Sequence, residues 1–220
     1  MRVIAGTYRS RILKSLKGLS LRPTSDRLRE TLFNVLGQDV EGSRFLDLFA
    51  GTGAIGIEAL SRGASEVVFV ENHAPAATLI GRNLDSLGIR NAATVLSMDV
   101  QRGLERLAAA KKGKTSSFDF IFLDPPYAAA KDYARVLEFL GSGDLLASAG
   151  ILIAEHRRSF ELPEEVGGLR RYRVLQQGDA ALSFYRRAAS TAGKRLDSHD
   201  GRGHGRPPIH HQRRPDRFEE

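Results

Sequence analysis

The segment Phe45-Leu46-Asp47-Leu48-Phe49-Ala50-Gly51-Thr52-Gly53-Ala54-Ile55-Gly56 constrains this chain more than any other. An apolar run turns through three glycines at G-x-G-x-x-G spacing into a helix-forming stretch. Glycines at such a strand–helix junction permit a tight turn and let a ligand approach the backbone closely. Strand–helix alternation then continues to about Arg187. Apolar runs at Phe45–Phe49, Glu66–Glu71, Ala93–Ser97, Phe118–Leu123 and Ile151–Glu155 read as strands. Stretches near Ala54–Arg62, Ala74–Leu87, Val100–Ala110 and Tyr133–Leu140 read as helices between them. This spacing predicts a parallel, doubly wound α/β sheet. Leu169–Gln176 and Ala181–Arg187 follow with no long helix between them, which predicts an antiparallel hairpin closing one edge.

Before this core, residues 1–22 carry basic side chains among scattered apolar ones, and read as a small β-hairpin or arm. Pro23-Thr24-Ser25 offers a helix start, with Leu28, Leu32, Val35 and Leu36 on one face and Arg27, Arg29 and Glu30 elsewhere. Residues 23–189 then read as one domain. Residues 190–220, rich in Gly, Pro, His and Arg, have little to bury and are expected to be disordered. Their four histidines (His199, His204, His210, His211) lack a pattern that would fix ligand geometry, so no metal site is assigned. His73 and His156 are expected at the surface or in support of other groups.

Charge is distributed unevenly. Of the net +7, residues 1–31 contribute +6 (eight Lys/Arg, two acids), residues 190–220 +2 (seven against five) and residues 32–189 −1 (18 against 19). A basic segment beside a neutral core suggests a polyanion presented to a working site. Arg2, Arg9, Arg11, Lys14, Lys17, Arg22, Arg27 and Arg29 are the cations assigned to it, tracking phosphates rather than reading sequence. The chain has no Cys. That excludes a disulfide scaffold and a thiolate metal site. No apolar run is long enough to span a membrane, so the expected location is the cytoplasm.

Glu71 stands 20 positions after Gly51, where a carboxylate can accept hydrogen bonds from ribose hydroxyls. NAD and S-adenosylmethionine enzymes both use such a loop. Asp47, inside the strand end, would attract a cationic ligand and oppose a pyrophosphate, and so favours S-adenosylmethionine. Asp99 follows the third strand, where it can accept from an adenine amino group or cap the next helix. The fourth strand runs into Asp124-Pro125-Pro126-Tyr127. Two prolines remove two N–H donors there, leaving a carboxylate and carbonyls that suit an exocyclic nucleobase amino group. Tyr127 offers a face for an extruded base.

These motifs together resemble class I, S-adenosylmethionine-dependent amino-methyltransferases. More narrowly, Arg2–Arg9, Leu21–Phe33 and Gly56–Ala64 resemble the RsmD family, and the resemblance covers residues 1–187. It implies a Rossmann-like seven-stranded sheet, mostly parallel with an antiparallel C-terminal hairpin, and a basic N-terminal arm. It implies methylation of N2 of one guanine in 16S ribosomal RNA, presented in a partly or fully assembled small subunit. Asp47, Phe49, Gly51, Gly53, Glu71, Asn72, Asp99 and Asp124 would hold the cofactor. Asp124, Pro125, Pro126 and Tyr127 would form the catalytic tetrapeptide. The rival readings are an NAD-dependent oxidoreductase, which leaves the tetrapeptide and arm without purpose, and a non-catalytic RNA assembly factor. A methyltransferase acting on another RNA, or on DNA adenine N6, shares the tetrapeptide's logic.

Overall fold

The computed structural model describes residues 1–15, 25–110, 117–126 and 130–188; helix residue Ala130 is described in its backbone alone. Lys17, Arg22, Tyr127 and the tail 190–220 lie outside the described residues. Residues Met1–Ala188 form one compact unit, so the described part of the arm packs with the core.

Strand β1 (Arg44–Leu48) leads through the glycine loop into helix α2 (Ala54–Ser61), after α1 (Asp26–Leu36) and a short 3-10 turn. Then follow β2 (Glu66–Glu71), α3 (Ala74–Ser86), β3 (Ala93–Ser97), α4 (Val100–Ala110), β4 (Phe118–Leu123) and α5 (Ala130–Ser142). The last elements among the described residues are β5 (Leu146–Arg157), β6 (Glu165–Val166), β7 (Leu169–Gln177) and β8 (Ala180–Arg187). The sheet order is β3-β2-β1-β4-β5-β8-β7-β6. The first five strands run parallel, and β8, β7 and β6 complete the sheet antiparallel.

The sheet has eight strands where seven were expected. The extra one is two residues long, too short for any sequence alternation, and turns into β7 through Gly167 at φ 56°. Strand β5 also begins five residues before Ile151. Its early part pairs Leu146 with Phe118 before a register shift restores Ile151 opposite Phe120.

One face of the sheet buries Phe45, Phe69, Phe122 and Ile153 under α1, α2, α3 and the N-terminal segment. The other buries Leu48, Val70, Leu123 and Ala154 under α4 and α5. Helix α1 starts at the expected point: the Ser25 hydroxyl accepts the Leu28 N–H at 3.1 Å, a side-chain cap for a free backbone donor. Among the described residues no helix is long and apolar enough to cross a membrane.

The arm is bound rather than loose. Arg2 and Ile12 form an antiparallel bridge, and Val3 and Leu13 insert into the core, 1% and 3% exposed. Two apolar residues that far apart carry no periodicity, so a core contribution was not legible. Three polar side chains of α2 and α3 hold its backbone. Glu58 accepts the N–H groups of Ile4 and Ala5 at 2.8 and 3.0 Å. Ser61 Oγ accepts Tyr8 N–H at 2.9 Å, and Asn83 Oδ1 accepts Lys14 N–H at 2.9 Å.

Candidate active site

In an open parallel sheet, a ligand crevice forms where neighbouring strands send their connections to opposite faces. Here that point lies between β1 and β4, whose last residues Leu48 and Leu123 are register partners. The glycine loop and the Asp124-Pro125-Pro126 turn therefore leave the sheet side by side.

The three glycines do different work. Gly51 and Gly53 have φ of 55° and 76°, in the left-handed region that side chains disfavour. A Cβ on Gly51 would meet no atom closer than 3.9 Å, so its front is open to a ligand. A Cβ on Gly56 would lie 2.3 Å from the Phe69 ring, so this glycine lets α2 pack onto β2. Phe49 also has positive φ, at 57°, a strained backbone at the mouth of the site.

Four carboxylates stand on one face at the carboxyl ends of four adjacent strands, with Asp47, the register partner of Phe69 and Phe122, two residues deeper than the other three. Phe69, Phe45, Phe122 and Ile153 share one sheet face. Two residues beyond each stand Glu71, Asp47, Asp124 and Glu155, and side chains two apart along a strand share a face. Glu71 clamps the loop: Oε2 accepts Gly51 N–H at 2.7 Å and Oε1 accepts His73 N–H at 2.8 Å. Asp47 is buried and accepts Gly56 N–H at 3.0 Å. Burial pushes its carboxyl up to about 8; that bond opposes the shift and Glu71 adds slightly to it. Burial also holds the Asp124 carboxyl well above the usual range, with Glu155 and Asp47 adding to the effect.

Glu155 is the site residue that sequence reasoning passed over, reading it only as a strand end. Its signal was parity: Ile153 faces the core, so Glu155 faces the crevice. Tyr133 of α5 donates its hydroxyl to the Glu155 carbonyl at 2.6 Å, tying the helix after the tetrapeptide to β5.

The remaining expected residues fall as follows. Asp99 is exposed and caps α4, its Oδ1 accepting Gln101 N–H at 2.9 Å. Asn72 is exposed beside Glu71, Pro125 is buried and Pro126 exposed. Arg2, Arg9, Arg11, Lys14 and Arg27 are exposed. Arg29, expected among the RNA-facing cations, is instead fully buried. It pairs with Asp26 at 3.0 Å and lies 3.7 Å from Glu58, so it is structural. His156 is buried too, its Nε2 bonded to Ser183 Oγ at 2.9 Å.

A mostly parallel sheet ordered in this way, closed by an antiparallel hairpin and opening at β1 and β4, defines the class I methyltransferase fold. The solved structure titled "Putative methyltransferase yhhF from Escherichia coli" superposes with a TM-score of 0.73 at 29% identity, covering 86% of this chain and 98% of that one. The family model described as "Conserved hypothetical protein 95" matches residues 1–186. The chain belongs to that family, the RsmD family of methyltransferases. The Bacillus subtilis protein named "Putative rRNA methyltransferase YlbH" is 41% identical over 187 residues, 85% of this chain and 99% of that protein. The Escherichia coli "Ribosomal RNA small subunit methyltransferase D" is 32% identical over 189 residues, covering 86% and 91%.

Proposed function

We propose that this protein transfers a methyl group from S-adenosylmethionine to the exocyclic N2 of a guanine in small-subunit ribosomal RNA. One observation carries the reading: the glycine loop and the acceptor-only Asp124–Pro125 turn emerge next to each other at the β1/β4 crevice. The names of the relatives supply the RNA class.

The residues fit the cofactor. The open front of Gly51 admits it, and the Asp47 carboxyl, raised to about 8 by burial, gains charge as a cationic amino group and sulfonium approach it. Glu71 keeps acceptor capacity for ribose hydroxyls while holding the loop. Asp99 caps α4 through Oδ1, leaving Oδ2 for an adenine amino group. Phe49, Gly53 and Asn72 complete the lining. When bound, S-adenosylmethionine supplies an electrophilic methyl group on a positively charged sulfur.

Guanine N2 is a poor nucleophile because its lone pair is delocalised into the ring. Asp124 and the Pro125 carbonyl accept its two hydrogens, which lets the nitrogen rehybridise and aim its lone pair at the methyl carbon. Asp124, as the acceptor of one N2 hydrogen, would take up the proton that N2 gives up on gaining the methyl group. Positioning and these hydrogen bonds supply the rate. Pro126 stiffens the turn, and Tyr127 is assigned the stacking face for the base. Arg2, Arg9, Arg11, Lys14 and Arg27 hold phosphates.

The test offers labelled cofactor and protein to unmethylated small subunits, free small-subunit RNA and DNA, followed by mapping of the modified base. Label on guanine N2 of the RNA is expected. Label on DNA adenine, or cofactor binding with no transfer to any substrate, would overturn the reading.

A further inference from the structure

The strand ends that form the active site continue past Asp124 to a second concave surface. Arg157 ends β5, Arg158 and Ser159 follow it, and Asp179 sits in the β7–β8 turn; together they line a groove of about 500 Å³. Its walls are fixed by backbone hydrogen bonds. Arg158 N–H donates to the Asp179 carbonyl at 2.8 Å, and Phe160 N–H to the Arg157 carbonyl at 2.9 Å. Strand β5 runs parallel to β4 and β8 antiparallel to β5, so this groove opens on the same sheet edge as the catalytic turn. Ala154 is the register partner of Leu123, so the groove residues stand on the strand next to the catalytic turn and a few residues beyond its level.

Helix α1 brings a further cation to the same corner. Thr31 Oγ1 lies 3.2 Å from Gln177 Oε1, at the end of β7, and also donates to the Arg27 carbonyl at 3.0 Å. Exposed Arg27 therefore stands one helical turn from the hairpin that borders the groove. The N-terminal arm is anchored on α2 and α3, on the opposite flank of the β1/β4 crevice. Cations thus stand on both sides of Asp124.

We infer that the Arg157–Arg158–Ser159 groove, with Arg27 at its border, binds the phosphodiester backbone of the substrate RNA beside the target nucleotide. The inference rests on the proposed function and adds a second contact surface to the arm. Extruding a base costs unstacking energy, which backbone contacts on either side of the target nucleotide help to offset. Guanidinium groups suit this role because their planar donors match phosphate oxygens. Asp179 sets a limit on the groove's affinity by repelling the same phosphate.

This arrangement makes two substitutions act in opposite directions. Labelled small-subunit RNA is titrated with the full chain, with cofactor present, at salt concentrations between about 50 and 200 mM. Arg158→Glu is expected to weaken binding several-fold and to reduce the slope of log Kd against log salt by about 1. Asp179→Asn is expected to tighten binding. Thermal melts of both variants report whether the turn itself is intact. Unchanged Kd and slope in both variants, or equal weakening in both, would overturn the groove while wild-type methylation of the RNA leaves the functional reading standing. Wild-type protein that neither binds nor methylates the RNA would overturn the two together.

Discussion

Arg29 on α1 and Glu58 on α2 are both fully buried, with Arg29 Nε 3.7 Å from Glu58 Oε2. Glu58 also takes Arg62 Nε at 2.9 Å and the backbone N–H groups of Ile4 and Ala5. Arg29 donates in turn to the Arg2 carbonyl. The pair therefore locks together α1, α2 and the arm that carries the exposed cations. Burial nevertheless lowers the tendency of Arg29 to stay charged, which Glu58 and Asp26 oppose.

Removing one member of a buried ion pair leaves an uncompensated charge, a loss of about 3–5 kcal/mol. Glu58→Ala is expected to reach that range in denaturant unfolding, because three donors lose their acceptor and Arg29 loses its buried counter-charge. Hydrogen exchange at Ile4 and Ala5 should rise more than at β1 amides. Equal protection at those two amides in the variant would show that Glu58 does not anchor the arm.

Gly51 and Gly56 should respond in opposite ways to alanine. Gly56→Ala drives a methyl to 2.3 Å from the Phe69 ring, so α2 or Phe69 must shift. Overpacking of this kind costs about 1–3 kcal/mol, measurable as a fall in the unfolding midpoint. Gly51→Ala meets open space and carries only the strain of φ 55°. Its main expected effect is weaker cofactor binding, read by calorimetry. Equal destabilisation by both would contradict the division of roles.

The strands and the glycine loop were legible because their signals are local: apolar runs, turn glycines and a capping Ser25. Strands β2, β3 and β4 have the expected bounds for this reason. What escaped depends on distant partners. Arg29 looks like any surface cation on its helix, since Glu58 enters only from another element. Glu155 ends an apolar run, and its meaning appears only once β5 is placed beside β4. Strand β6 pairs just Glu165 and Val166 with β7, a contact that no pattern in two residues announces.

Asp47 makes the protein's stability depend on pH. Its folded pKa of about 8 lies above the usual carboxylate value, so the native state binds more protons than the unfolded chain between about 4 and 8. Its contribution is therefore largest below the unfolded pKa, and stability falls as pH rises through that window. Asp124 is shifted in the same direction and adds to the slope. Asp47→Asn should flatten the pH dependence of the melting temperature and raise it near pH 8. Each kcal/mol recovered corresponds to about 2–4 °C in a chain of this size. A melting curve series identical to wild type across this range would show that Asp47 does not titrate in it. The same variant should bind the cofactor more weakly, because an amide cannot ionise in response to the cofactor's positive groups.

Asp124 is expected to be indispensable and Glu155 to tune it. Asp124→Ala should lose turnover by orders of magnitude while keeping cofactor affinity, since the loop is held by Asp47 and Glu71 instead. Turnover at the wild-type level would refute the assignment. Burial raises the Asp124 carboxyl first, and the charge of Glu155 raises it further. In its proposed role as acceptor of an N2 hydrogen Asp124 works best ionised, so activity should climb with pH as its proton leaves. Glu155→Gln keeps the shape of the side chain and removes its charge. The rise in single-turnover rate should then move to lower pH, with little change in the plateau. A loss of plateau rate with no movement of the midpoint would assign Glu155 a packing role instead.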